Sequence, residues 1–162
     1  MFYDEEQMVK DLIQVFKDGL DAEIDCVNTD KNDALVLDYI PLDKYVFETL
    51  DSRLLNYKGF FIMYGLVDTP PRDASLNNFI EDVVITIKIA TFDSGDKARE
   101  NTLYKLLRYR QALKRVLMKN PDVFRNYAKP LVSSLRPDAF PYDNRSVILN
   151  IGIDVKASVT AN

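Results

Sequence analysis

The chain has 162 residues, 47% hydrophobic and 28% charged, a size and balance that fit one soluble domain able to bury a real core. Its formal charge of −4 and pI near 4.9 argue against a nucleic-acid backbone as specific partner, and no run of about 18 apolar residues suggests a membrane span. It has no His, one Cys (Cys26) and five Gly, which excludes the commonest general base, the commonest zinc ligand, a thiolate cluster and an internal disulfide, and leaves no GxGxxG, Walker-type or GxSxG motif.

Residues 4–20 read as an amphipathic helix. Met8, Val9, Leu12, Ile13, Phe16 and Leu20 keep helical spacing, Asp4, Glu5 and Glu6 sit at the positive end of its dipole, and Gly19 reads as its C-terminal stop. Residues 22–27 and 34–40 read as two strands of a hairpin joined by NTDKND, with Pro41 ending the second. In 42–57 the signal is mixed, and Tyr45, Val46, Phe47, Leu50, Leu54 and Leu55 suit one or two short helical turns. Residues 59–67, GFFIMYGLV, are apolar on both faces. That suits a central strand covered from both sides, or one with part of Phe60, Phe61, Met63 and Tyr64 facing a partner subunit. Residues 68–78, DTPPRDASLNN, are the clearest loop, stiffened by Pro70 and Pro71 and followed by Arg72. Lying between two strands, they read either as a protruding hairpin arm that reaches a neighbour or as a plain surface loop.

Residues 81–120 organise the rest. Val83, Ile85, Ile87 and Ile89 alternate with Val84, Thr86, Lys88, Ala90 and Phe92 along one long strand. Asp93, Ser94, Gly95 and Asp96 supply a turn, after which the period changes to about 3.6. Thr102, Leu106, Tyr109, Leu113, Val116 and Leu117 share one arc of the following helix, flanked by Leu103 and Leu107. Lys97, Lys105, Arg108, Arg115 and Lys119 form a basic stripe on the far side. Arg110 points into the apolar arc, where it either pairs with a buried or interfacial carboxylate or snorkels from the core edge. Pro121 ends the helix, and 122–143, with Pro130, Pro137 and Pro141, read as an irregular packed connection with a short helix or strand near 131–135. Residues 146–159 alternate plainly as a second long strand.

These elements make an α+β fold: one domain over 1–162, with a mixed, largely antiparallel sheet containing two long strands. The sheet is packed against an N-terminal helix and one long amphipathic helix, and 68–78 protrude. A strand of about 14 residues is roughly 46 Å long, against a diameter of roughly 40 Å for a compact domain of this size. Such strands span the body, bend or project, and projecting backbone pairs with a neighbouring chain.

Charge is uneven. Residues 1–51 hold 14 acidic and 4 basic side chains; residues 96–119 hold 8 basic and 2 acidic. The plain reading is solvated helix faces. The sharper one is a bipolar subunit whose acidic pole meets the basic pole of the next copy. The acidic start, MFYDEEQMVKDLIQVF, differs from the basic start of a secretory signal, and the single Cys fits a reducing compartment. The acidic residues show no spacing that singles out a catalytic pair.

The order of acidic helix, hairpin, apolar strand, long loop, long strand, basic helix and alternating strand resembles the tail terminator proteins of long non-contractile-tailed bacteriophages. The resemblance is strongest over Phe79 to Lys119 and Val147 to Val159, including TFDSGDKARENTLYKLLRYRQALKRVL and ILNIGIDVKAS. It implies a structural virion protein, not an enzyme, made in the host cytoplasm and sited at the head-proximal end of the tail. It also implies a homo-oligomeric ring, a hexamer in that family, seated on the last ring of tail-tube protein. The ring stops polymerisation and presents a surface to the head-completion or connector protein. No cofactor or metal is expected. The contact surface expected from the residues is Lys97, Tyr104, Lys105, Arg108, Arg110, Arg115 and Lys119, with Pro70, Pro71 and Arg72 on the protruding loop. Two alternatives remain: another neck or head-completion protein, and a non-viral α/β ligand-binding or regulatory module. A two-carboxylate hydrolase is a third class, which requires a cleft with a raised-pKa acid.

Overall fold

A computed structural model describes residues 5–47, 60–68, 72–75, 78–91, 93, 95–121, 130–131 and 148–160. Within them the chain combines α-helix and β-strand. Helix α1 spans Glu5–Lys31 and helix α2 spans Ala98–Lys119. The strands are β1 (Tyr45–Phe47), β2 (Phe60–Asp68), β3 (Arg72–Ser75), β4 (Asn78–Ala90), β5 (Pro130–Leu131) and β6 (Ile148–Thr160).

The first difference from the expected elements is at the N-terminus. The helix does not stop at Gly19, and 22–27 are not a strand but its continuation. The reason lies in the apolar stripe: Phe16, Leu20, Ile24 and Val27 keep the i, i+4, i+3 spacing and are all fully buried, whereas Ala22 and Cys26, which a strand would have placed with Ile24, are exposed. Gly19 sits inside the helix at a close approach to α2; a Cβ there would lie 3.4 Å from a methyl of Val116. The helix ends where Asn32 takes φ 45° and its N–H bonds the Asn28 carbonyl at 3.0 Å, the left-handed close that Asn tolerates.

Nor are 34–40 a strand. They form an extended strap without regular structure, tied down by side chains. The Asn28 amide donates to the Leu37 carbonyl (3.1 Å) and accepts from its N–H (2.8 Å), and the Tyr109 hydroxyl donates to the Asp38 carbonyl (2.7 Å). These bonds replace a hairpin ladder and let Leu37 and Ile40 enter the core. Tyr45, Val46 and Phe47 are likewise a strand and not a helical turn. They follow a 3-10 turn, Leu42–Lys44, and run parallel to β2. Leu50, Leu54 and Leu55 lie outside the described residues.

Strands pair in the order β1-β2-β4-β6-β5. β4 and β6 are antiparallel in unbroken register from Asn78↔Thr160 to Ala90↔Ile148. The opposite edge of β4 is shared by β2 and by β3, so part of the expected 68–78 loop is a short strand folding back on β4 through Arg72↔Ile80 and Ser75↔Asn78. The β2 register shifts between Tyr64 and Val67, around Gly65, as a bulge requires. Pro70 and Pro71 lie outside the described residues.

The core forms where Phe16, Leu20, Ile24 and Val27 of α1, Tyr109, Leu113 and Val116 of α2 and Leu37 and Ile40 of the strap meet Ile87 and Ile89 of β4. Tyr45 and Tyr109 are buried with them, and burial pushes both phenols well above the usual tyrosine range.

Candidate functional site

The surface expected to make contacts is carried by α2, and the strand-to-helix turn sets its orientation. Gly95 adopts φ 108°, its carbonyl accepts from the Ala98 N–H (3.1 Å), and Lys97 is the N-cap residue without a side-chain cap bond. The Asp93 N–H donates to the Thr102 hydroxyl (3.2 Å), and the Asp93 carboxylate lies 3.6 Å from Lys105 Nζ. Thr102 and Lys105 are buried. Lys105, expected on a solvated stripe, is only 7% exposed.

Most of the basic stripe turns inward, against the acidic half of the chain. Arg108 makes a two-pronged bridge to Asp33 (2.8 and 2.5 Å) and also donates to the Leu35 carbonyl. Arg115 meets Asp30 at 2.6 Å, and Lys119 meets Glu23. The guanidinium of Arg108 holds the Asp33 carboxyl below the usual aspartate range. Expected poles on separate copies are, for these residues, partners within one copy. Sequence distance hides this: the paired residues are 75 to 96 positions apart, and only the fold lays α2 against the end of α1 and the strap.

The remaining expected residues are placed differently. Lys97 and Tyr104 are exposed, and Arg110 is half-buried, its Nε without a hydrogen-bond partner among the described residues. Lys97, Arg110 and Lys114 enter none of the salt bridges seen among those residues. Arg72 stands in β3, apart from α2 in sequence and opposite Ile80.

Tyr104, Leu107, Arg108, Asn101 and Gln111 line one wall of an open groove of about 530 Å³, and Lys31, Asp33 and Leu35 line the other. The groove offers apolar floor, amides and charge; it brings together no nucleophile with an adjacent base. Leu103 and Leu107, expected to flank the buried arc, are exposed instead. Asp30, Asp33 and Glu23, which decide what the basic residues do, were not singled out by the sequence. A signal was available for Asp30 alone, which lies in the last turn of α1, where cations and not acids suit the dipole; Asp33 follows the helix and Glu23 lies about two turns inside it.

Among the described residues no group of three His, Cys, Asp or Glu is placed to hold a metal, and no helix is long and apolar enough to cross a membrane. The chain matches no protein-family model, no curated protein and no solved structure.

Proposed function

We propose that this chain is a structural subunit of a bacteriophage tail, of the tail terminator kind. It assembles as a ring, a hexamer by analogy, on the end of the tail tube, stops tube polymerisation and gives the head-completion or connector protein a surface to bind. Its body in this reading is one α+β domain over 1–162, with a mixed, largely antiparallel sheet laid against α1 and α2. The observation that supports it is the joining of two 13-residue strands, β4 and β6, side by side with the long amphipathic α2 between them in sequence. That order of elements carries the resemblance, and it needs no reaction centre. Blocking a tube end is steric: a bound ring covers the surface that the next tube ring would occupy.

The test is co-sedimentation with purified tail tubes, followed by electron microscopy of tube ends and by tube length in a polymerisation reaction. The reading expects end-bound rings and shorter tubes. Protein that leaves tube length unchanged and stays in the supernatant overturns it. A second reading, the ligand-binding module, is favoured by the groove, whose about 530 Å³ lies in the size range of small-molecule sites. It expects a monomer or dimer whose melting temperature rises with a small ligand.

A further inference from the structure

Four of the seven cations of α2 — Lys105, Arg108, Arg115 and Lys119 — are held by carboxylates of the same chain. What remains outward is a strip on which Leu103, Leu107 and Met118 are 41%, 49% and 79% exposed, with Arg110 and Lys114 beside them. On α1 the complementary pattern appears. Asp11, Asp18 and Asp25 recur every seven residues on the side away from the buried stripe, and Asp21 lies next to them. None of the four enters a salt bridge seen among the described residues. The Tyr39 hydroxyl donates to Asp25 at 2.5 Å, which sets a 53%-exposed aromatic ring beside the acids.

We propose that the outer face of α2 docks a second copy of this chain, which offers the acidic outer face of its α1. Lys114 and Arg110 of one copy meet Asp18, Asp21 and Asp25 of the next, while Leu103 and Leu107 are covered against the Tyr39 side of that face. This rests on the reading above only in that both need the chain to associate with itself.

Charge selects this occupant. Packing α2 on α2 of another copy would set Arg110 and Lys114 near their own equivalents, and α1 on α1 would set aspartate near aspartate. The unlike faces bring Arg110 and Lys114 to the aspartates of the other helix, whereas Lys10 on α1 and Glu100 on α2 give the like-on-like packings fewer opposite charges to pair. Partial burial and the nearby Asp25 already hold the Asp21 carboxyl above the usual aspartate range, and a cation across the interface relieves that repulsion. The two faces use different residues, so a copy that fills one keeps the other open. Growth then ends only by closing a ring.

The experiment uses two double variants of the full chain. One, Leu107→Asp with Lys114→Glu, disables the α2 face; the other, Asp18→Lys with Asp21→Lys, disables the α1 face. All four positions lie outside the buried core, and circular dichroism and urea midpoints check the fold. In sedimentation velocity the unaltered chain is expected to gain mass with concentration and lose it with salt. Each variant alone is expected to associate at least about tenfold more weakly. Mixed one to one, they are expected to form a dimer that grows no further, because only one competent pair of faces remains. A parent monomeric at every concentration, variants that associate like the parent, or a mixture that stays monomeric each overturn the proposal. Rings that persist in both variants overturn this surface and leave the ring reading intact. Concentration-dependent growth that each variant weakens, in a parent with no affinity for tail tubes, supports the surface and counts against the tail reading.

Discussion

Tyr109 shows how a single side chain links three parts of the fold. Its ring is fully buried among α1, α2 and the strap, and its hydroxyl satisfies the Asp38 carbonyl. Tyr109→Phe keeps the ring and removes one hydrogen bond, so a loss of about 1 kcal/mol is expected in urea unfolding; Tyr109→Ala also leaves a cavity and is expected to cost about 3–5 kcal/mol. Asp33 gives a pH signature. Its folded pKa lies below the unfolded value because Arg108 bonds the ionised form, so its contribution is whole above the ordinary carboxylate range near pH ~4 and is lost as pH falls through the folded value. The parent should therefore exceed Asp33→Asn in urea midpoint at pH 7, with the gap closing in acid; a gap constant down to pH 2 would contradict the pairing. Glu23 differs from both. It is buried, Lys119 reaches one of its oxygens, and its Oε2 has no hydrogen-bond partner among the described residues. Lys119→Met strands a buried carboxylate and should lower the midpoint, while adding Glu23→Leu should restore it, since an apolar pair fills the same space without the desolvation cost.

At the scale of elements, α1 and the strap act as one unit. Gly19 stands inside α1, where Gly is a weak helix former. An added methyl would lie 3.4 and 3.6 Å from the Val116 methyls, in ordinary contact. Gly19→Ala is therefore expected to stabilise by about 0.5–1 kcal/mol, and a rise in melting temperature checks it. Gly19→Leu should reverse the sign by driving α1 from α2. Asn28 is the strap's other anchor. Asn28→Ala leaves both backbone groups of Leu37 without their partner, an expected loss of about 2 kcal/mol, and faster amide exchange at Leu37 should accompany it.

In the molecule as a whole, the strand order makes β4 and β6 unequal. β4 is paired along both edges, by β6 on one side and by β2 and β3 on the other. β6 is paired along its full length with β4, while its outer edge meets β5 only at Asp154 and Val155 among the described residues. Amide exchange in dilute protein should find β4 slowest throughout. β6 should alternate slow and fast away from its β5 contact. Uniform protection along β6 would show that its outer edge is paired after all. Among the described residues, then, β4 has partners on both edges, while β6 has partners along one edge and at Asp154 and Val155 of the other.

The sequence by itself determined the two long strands, the turn at Gly95 and the amphipathic α2, because each is a local period of two or about 3.6 over many residues and such periods need no neighbour to be read. It misread 22–40, where AEIDCV suits both periods. There the choice fell to tertiary contacts: as helix, Ile24 and Val27 fall on the stripe that is buried in the core with residues of α2 and the strap. It also showed the acidic and basic halves without saying whether they meet within a chain or between chains. That is a matter of three-dimensional distance. Asp33 and Arg108 are 75 residues apart along the backbone and 2.5 Å apart in space, and only packing α2 on α1 brings them there. The outer-face groups of the same two helices that enter no salt bridge among the described residues are where the proposal of a second copy rests.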